Sequence, residues 1–263
     1  MRREKAKLVE TEFDKLSDRT LSDRAKLALK DDKIKWRHGE TEHFVYHFQR
    51  LTEAQKMARE AEFYYWKIKE DLAVKDDLAR GKSHVVIFSR EDQWKIFTTD
   101  AGIPIWSVGF AVGRELFLLV EPGSSNASDR LAHEMTHLVF FRFVPKPVPL
   151  WLNEGFAEYE SQAAYAKLKG VGVLAPKSGR AMPMNLDRLT SLKAYPEDPR
   201  EVQSFYVESE RLVRFLITRH AKESFVPFVN LLADGATFEQ ALLEKYTKYR
   251  KLEEFKKQFE RFQ

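Results

Sequence analysis

Residues 131–140 read LAHEMTHLVF, in which two histidines four positions apart stand within an apolar run. On an α-helix, positions i and i+4 lie on the same face, so His133 and His137 would point the same way and share one metal ion. Glu134 is rotated by about 100° and would flank the ion rather than bind it. Burying these side chains among apolar residues is costly unless a partner satisfies them. The stretch therefore predicts a helix that carries a metal site.

The pattern of two histidines and a glutamate fixes only three positions and also occurs by chance. A third ligand is therefore needed to distinguish a metal site from a chance match. Phe140 and Phe143 occupy the positions at which one known zinc arrangement has glycine and a third histidine. No aspartate that could serve as the ligand in a second arrangement follows closely. The segment 151–159, WLNEGFAEY, offers Glu154 just inside the next predicted helix, with Glu158 one turn later on the same face.

Glu154 is therefore the predicted third ligand. Glu158 is the predicted acceptor of a hydrogen bond from the second ring N–H of a liganding histidine, which would fix the tautomer and orientation of that ring. The alternative is that both carboxylates are solvated or paired with lysine. The predicted metal is Zn²⁺, because histidine and carboxylate ligands suit it and the chain has no cysteine.

Composition narrows the class of protein. The chain has 263 residues, of which 43% are hydrophobic and 32% charged, a balance typical of soluble globular proteins. The absence of cysteine excludes disulfides, thiolate metal sites and a cysteine nucleophile. The net charge of +4 comes from interleaved basic and acidic residues without a basic stripe, so no nucleic-acid partner is expected.

No apolar run is long enough for a transmembrane segment. The N-terminus lacks the apolar core of a signal peptide, which leaves the location open, a removed leader included.

Hydrophobic periodicity predicts strands and helices in the first half of the chain and helices alone in the second. The predicted strands are 42–48, 83–89 and a pair within 108–123 that breaks near Gly113. The predicted helices are 1–30, 52–73, a short one within 91–102 ended by Gly102, 128–143, 150–170, 185–192, 200–220, 222–233, 237–247 and 249–262.

The predicted fold class is α+β: a small mixed β-sheet with the metal-bearing active-site helix, followed by an all-helical C-terminal lobe. Three parts are predicted, namely a charged N-terminal helical extension (1–40), a core of sheet and active-site helices (41–170) and a helical lobe (171–263).

The spacing of the other histidines does not indicate a metal site. His43 and His47 are also four apart, but on a strand they would lie roughly 13 Å from each other, too far to share one ion. His38, His84 and His220 have no ligand-like neighbours in the sequence and are predicted to be structural or surface residues.

With HEMTH and WLNEGFAEY in this order, the chain resembles the gluzincin zinc metallopeptidases, and more closely the peptidase-MA-like family of bacterial metallopeptidases. The resemblance runs from about residue 42 to residue 262 and includes GIPIWSVGFAVG and FYVESERLVRFL. It implies a thermolysin-like catalytic core with His133, His137 and Glu154 as zinc ligands and Glu134 as the catalytic base. Glu158 falls where the family has a carboxylate outside the ligand set.

The resemblance also implies a reaction, the hydrolysis of peptide bonds by a zinc-activated water. Glu134 would take the proton of that water and deliver it to the leaving amine. By the same resemblance, an edge strand within 107–121 would bind a peptide or protein substrate as an added strand, which marks Gly109, Phe110 and Ala111.

Tyr206 is the predicted donor to the developing oxyanion, because tyrosine is a suitable donor and the family has a tyrosine at this place. The alternative is a packed aromatic, since Phe205 and Tyr206 are neighbours and one of them must face inward.

Two features depart from the better-known relatives. Sixteen residues separate His137 from Glu154, a shorter gap than in thermolysin-like or alanyl-aminopeptidase-like enzymes. The chain also lacks the Gly-x-Met-Glu-Asn segment with which those aminopeptidases hold the substrate amine. The second departure favours an endopeptidase. The alternative functions are a zinc-bearing scaffold or binding module that does not cleave, and a hydrolase of another class.

Overall fold

The computed structural model describes residues 7–74, 81–104, 107–121, 127–170 and 183–262. The chain forms two compact units, the first from Met1–Lys67 and Leu78–Arg142 and the second from Ile68–Asp77 and Phe143–Gln263. The predicted three-part division, with boundaries at residues 40 and 170, stays a prediction. None of the helices in the described ranges combines the length and the apolar character that a membrane span requires.

The first unit is built on a six-stranded sheet. Its strands are β1 (Val9–Thr11), β2 (Arg37–Glu40), β3 (Phe44–Phe48), β4 (Ser83–Phe88), β5 (Gly109–Val112) and β6 (Glu115–Leu119). Its helices are α1 (Asp23–Leu29), most of α2 (Leu51–Asp71), α3 (Glu91–Asp100) and nearly all of α4 (Ala127–Phe143). The strand order is β1-β2-β3-β4-β6-β5, which puts β5 at one edge. The sheet is mixed, because β4 is parallel to both neighbours and the other pairs are antiparallel.

In the described part of the second unit, every regular element is helical. The helices are α5 (Leu150–Lys169), α6 (Leu186–Ser191), α7 (Pro199–Thr218), α8 (Phe225–Ala233), α9 (Phe238–Lys245) and α10 (Leu252–Glu260). A short 3-10 helix, Lys222–Ser224, precedes α8. The prediction of mixed α and β structure, with strands confined to the first half of the chain, is confirmed for the described residues.

The two faces of the sheet pack against different helices. On one face, Phe88 and Phe117 form an apolar cluster with Ala25 of α1 and Trp94 of α3. On the opposite face, the buried Phe44 of β3 meets α2, where its ring contacts Tyr65 at a centroid distance of 6.4 Å. Since side chains alternate along a strand, the sheet is covered on both sides, as parallel strands require. Helix α4 lies on the second of these faces, where Arg142 in its last turn lies over the ring of Tyr65.

The β5–β6 hairpin turns where the sequence predicts a break. Gly113 has a φ of +56°, a left-handed conformation that costs glycine little and a residue with a Cβ more. The turn returns β6 along β5 with Ala111 opposite Leu116 and Phe110 opposite Phe117. The hairpin thereby fixes which side chains of β5 face α4.

The helix predicted over residues 1–30 is wrong for its described part. The chain instead forms β1, a 3-10 turn at Phe13–Lys15 and the seven-residue α1, and β2 follows at residue 37. The segment is held by long-range contacts, including hydrogen bonds from Ser22 to both carboxylate oxygens of Glu115. The alternating charges resemble a helix face, but pairing of β1 with β2 outweighs that local preference.

Three histidines on neighbouring strands form a chain of ring contacts in the first unit. The Nδ1 atoms of His38 and His47 are 2.8 Å apart, and Nε2 of His47 is 3.0 Å from Nδ1 of His84. The outer nitrogen of His84 lies 3.9 Å from the Asp18 carboxylate, and the ring of Phe13 packs on His38. His47 is completely buried. His38 and His84, predicted to be structural or surface residues, thus share a partner, His47, that their spacing does not reveal.

We expect this cluster to make folding sensitive to acid. Burial holds the pKa of His47 well below its ordinary value, and the neighbouring His84 and His38 lower it further. Burial also lowers the pKa of His84. The unfolded chain, with histidine pKa values of about 6.5, therefore binds more protons, and stability present above that pH is lost as the pH falls. Each such histidine contributes up to about 1.4 kcal/mol per pH unit.

Urea unfolding of chelator-treated protein between about pH 7.5 and pH 5, above the ordinary pKa values of carboxylates, measures this loss. The His47→Gln variant should show a flatter dependence on pH than the parent chain. Equal slopes for the two proteins would mean that His47 is not held neutral in the folded state.

Candidate metal centre

Helix α4 presents both histidines on one face. The Nε2 atoms of His133 and His137 are 3.1 Å apart, and the two rings meet nearly at right angles. Both histidines are half-buried. The buried apolar residues of α4 include Leu131, Ala132, Met135, Leu138, Val139 and Phe140. The predicted i, i+4 arrangement is therefore present.

Arg142 anchors the last turn of α4 to the sheet. It is 3% exposed, and it donates hydrogen bonds to the Ser83 hydroxyl at 2.9 Å and to the Gly81 carbonyl at 3.2 Å. The guanidinium also lies over the ring of Tyr65, 5.8 Å from its centroid. A buried guanidinium with several acceptors and an aromatic face is well satisfied. These contacts fix how α4 lies on the sheet and so where its two histidines point.

Glu154 lies in the first turns of α5, after the proline connector that ends α4. Its residue exposure is only 5%, and one carboxylate oxygen accepts a hydrogen bond of 2.8 Å from the hydroxyl of Tyr195. The next residue, Gly155, packs against α7 so closely that a Cβ there would lie 2.3 Å from the backbone oxygen of Ser209. Only glycine permits this approach, so the contact between α5 and α7 sets the position of Glu154.

Among the described residues, His133, His137 and Glu154 each offer one ligand atom, and these atoms all lie within 4.8 Å of one another. In a tetrahedral zinc site with bonds of about 2.0–2.1 Å to nitrogen, two imidazole nitrogens lie about 3.3 Å apart. The separation of 3.1 Å between the two histidines is close to that value. Imidazole and carboxylate are common ligands of divalent transition metals. The three residues therefore fit a metal ion.

Glu134 is held at the edge of the sheet. Its Oε2 atom accepts a hydrogen bond of 3.0 Å from the backbone N–H of Ala111 on β5. A Cβ at Gly109 would lie 3.7 Å from Cγ of Glu134, so the strand leaves only a small space beside this side chain. The carboxylate is half-buried and has one oxygen committed to the Ala111 N–H. This contact places the predicted base next to the predicted substrate strand.

The three residues predicted on that strand are not equivalent. The Leu119 N–H donates to the Val108 carbonyl, and in an antiparallel pair the bonded positions alternate. Phe110 is therefore paired with β6, and its ring stacks on Phe117 with centroids 4.9 Å apart. Gly109 and Ala111 direct their backbone groups away from β6, where the Ala111 N–H donates to Glu134 and the Gly109 carbonyl accepts from the Ser107 hydroxyl. The role of these residues in binding a substrate strand stays a prediction.

Glu158 lies one turn after Glu154 on α5, as predicted, and is half-buried. Burial raises the pKa of Glu210 on α7, and the charge of Glu158 raises it further, so these two carboxylates are near each other. Glu210 is held by Arg214, whose Nε atom donates to it at 2.8 Å. The hydrogen bond predicted from a liganding histidine to Glu158 stays a prediction.

Tyr206 is half-buried near the start of α7, whereas its neighbour Phe205 is completely buried. Phe205 therefore takes the inward-facing position. The ring of Tyr206 stacks on that of Tyr195, with centroids 6.2 Å apart and an interplanar angle of 29°. Burial, the charge and hydrogen bond of Glu154, and a hydrogen bond with Tyr206 all raise the pKa of Tyr195. Tyr206 is thus linked to Glu154 through a second tyrosine.

Tyr195 is the residue of this site that the sequence does not reveal. It stands in the polar, proline-containing loop before α7, where a lone tyrosine has no spacing relation to either motif. Its partner Glu154 is 41 residues earlier in the chain. No protein-family model matches the chain, and no curated protein is significantly similar to it.

Proposed function

We propose that the chain is a zinc-dependent metallopeptidase of the gluzincin type. The observation that supports this function most strongly is the convergence of His133, His137 and Glu154 on one small volume. Glu134, the neighbour of the first of these histidines, has the chemistry of a general base. This combination of three ligands and an adjacent carboxylate is the one that hydrolysis by an activated water requires.

Zinc is the proposed metal, because two imidazoles and a carboxylate form a frequent catalytic zinc site and no thiolate is available in this chain. When bound, zinc would lower the pKa of a water in its open position to about 7 and polarise a substrate carbonyl. The three protein ligands hold the ion and leave that position open. The histidines must be neutral to bind it, so metal affinity falls with acid.

Glu134 is the proposed base and acid. The Ala111 N–H donates to one oxygen and stabilises the ionised carboxylate, and the other oxygen would accept the proton of the attacking water. The same oxygen would then deliver this proton to the amide nitrogen of the departing product. A carboxylate that is held by the backbone of a strand needs no reorganisation before the proton transfer.

The proposed substrate is an extended peptide beside β5. Strand β5 is at the edge of the described sheet, and the Gly109 N–H and the Ala111 carbonyl are the groups on its outer side that would pair with the peptide. This edge adjoins Glu134. A peptide paired there would lie with its backbone next to the base, in the manner of an added strand. The sequence lacks the segment with which related aminopeptidases hold an N-terminal amine. We therefore favour cleavage within a peptide over removal of its first residue.

Two measurements test the function. Elemental analysis of protein purified without added metal should give about one zinc per chain, or zinc titration should restore it. Digestion of a broad peptide library, with and without chelator, should then show cuts that depend on the metal. Zinc without any cuts would favour the alternative of a zinc-bearing scaffold. Absence of zinc uptake would exclude both functions.

Tyr206 is the proposed donor to the oxyanion, and its hydroxyl can be removed without loss of the ring. We expect the Tyr206→Phe variant to cleave about 10²–10³-fold more slowly, because one hydrogen bond to the developing charge is lost. Its zinc content and melting temperature should stay close to those of the parent chain. Steady-state kinetics on a peptide identified in the library measures the effect. A fully active variant would leave Tyr206 as a packed aromatic.

A further inference from the structure

We infer that Tyr195 is a positioning residue of the metal site, whose hydroxyl occupies one oxygen of Glu154 and so orients the other toward the ion. This inference rests on the proposed function, because it assumes that Glu154 is a metal ligand. The hydrogen bond of 2.8 Å between the Tyr195 hydroxyl and Oε1 of Glu154 is the observation that carries it.

The ring of Tyr195 is held firmly although its loop lies at the surface. The residue is 48% exposed, yet the ring packs edge-on against Phe205 at 5.8 Å and stacks on Tyr206. Both partners belong to the first half of α7, the helix against which α5 packs. These ring contacts hold the phenol where its hydroxyl bonds to the buried carboxylate of Glu154. The exposed loop thus contributes a hydroxyl that is bonded to a buried carboxylate.

A neutral donor is suited to this task. Glu154 has two oxygens, and a buried carboxylate must have its lone pairs satisfied. If one oxygen binds the metal, the other requires a hydrogen-bond donor. A phenol, with an ordinary pKa of about 10, supplies a proton without a positive charge at neutral pH. Lysine or arginine at the same place would neutralise Glu154 and compete with the cation. Tyr195 therefore satisfies the ligand and leaves its negative charge available for binding.

The two tyrosines have separate tasks in this arrangement. The proton of Tyr195 is committed to Glu154, so its removal should weaken metal binding. The ring of Tyr206 stacks on that of Tyr195, and removal of the Tyr206 hydroxyl should lower the rate of cleavage. A hydrogen bond also joins the side chains of Tyr195 and Tyr206.

The test is the zinc affinity of the Tyr195→Phe variant, measured by competition with a chromophoric chelator. We expect a loss of about 10–100-fold, the usual effect of removing a hydrogen bond to a metal ligand. The melting temperature of the metal-free protein should be unchanged, because the ring remains. The Tyr249→Phe variant is the matched control, because it removes a hydroxyl that is bonded to His220 and Gln258, and its zinc affinity should equal that of the parent chain.

The Tyr195→Leu variant removes the ring as well as the hydroxyl, so comparison with Tyr195→Phe distinguishes the contribution of the hydroxyl from that of the ring. If the hydroxyl positions Glu154, the Phe and Leu variants lose zinc affinity to a similar degree. If the ring merely packs the loop, the Phe variant keeps the parent affinity, and the inference is overturned. A double-mutant cycle adds a second criterion: in a Glu154→Ala background, Tyr195→Phe should have no further effect on zinc affinity.

These outcomes are distinct from failure of the proposed function. A parent chain that binds zinc but cleaves no peptide would overturn the peptidase, whereas the affinity of the Tyr195→Phe variant would still decide the positioning role. A parent chain that binds no zinc would overturn both.

Discussion

The Glu134→Gln variant should retain its zinc and lose peptide cleavage by about 10²–10⁴-fold, the usual contribution of a general base. Glutamine has nearly the same size and shape as glutamate, but its amide cannot accept a proton from water. The Ala111 N–H can still donate to the amide oxygen, so the side chain keeps its place at the edge of β5. The loss therefore reports the missing proton acceptor rather than a displaced strand.

Three measurements on the purified variant make this result specific. Zinc content and melting temperature should match those of the parent chain, and the rate constant for cleavage should fall. Glu121→Gln is a suitable control, because it removes an exposed carboxylate between β6 and α4 and should leave the rate unchanged. Cleavage by Glu134→Gln at the parent rate would show that another group acts as the base.

The metal helix and its successor could be predicted because their signals are local. The spacing of His133 and His137 determines that both lie on one face of any helix, whatever surrounds it. The proline connector after Phe143 and the glycine at residue 170 mark helix ends by their own backbone preferences. Such features depend on residues a few positions apart, so a single sequence contains them.

The N-terminal segment could not be predicted in the same way. Strand β1 exists because Val9–Thr11 finds β2 as a partner, and their pairing joins residues about thirty positions apart. The charge pattern of this segment also suits a solvated helix, and nothing local distinguishes the two structures. The contact of Ser22 with Glu115 spans 93 positions. Long-range contacts of this kind decide the structure where local preference is weak.

The histidine chain and Tyr195 show the same limit at the level of single side chains. His38 and His47 meet because β2 and β3 pair in one register, and His84 joins them through the parallel strand β4. A shift of one residue in either pairing would place these rings on opposite faces. Tyr195 likewise depends on the packing of α7 for its contact with Glu154. The sequence indicates the candidate ligands, but it does not indicate that Tyr195 contacts one of them.

The Glu154→Ala variant should bind zinc about 10²–10⁴-fold more weakly than the parent chain, because it removes one of three ligands from a site in which ligand bonds supply the binding free energy. Glu158→Ala should lose only about 10–100-fold, the usual effect of a carboxylate that supports a liganding histidine. Both changes remove a carboxylate from the same face of α5, one turn apart, so they are matched in chemistry.

The order of the two losses in zinc affinity tests the ligand assignment. Glu154 lies within 4.8 Å of both histidine donor atoms, whereas Glu158 lies near Glu210 and shares its surroundings with Arg214. Zinc affinity measured by chelator competition, on variants with equal melting temperatures in the metal-free state, gives the two values. A larger loss in Glu158→Ala than in Glu154→Ala would exchange their roles, and it would also remove the ligand on which the contact of Tyr195 is proposed to act.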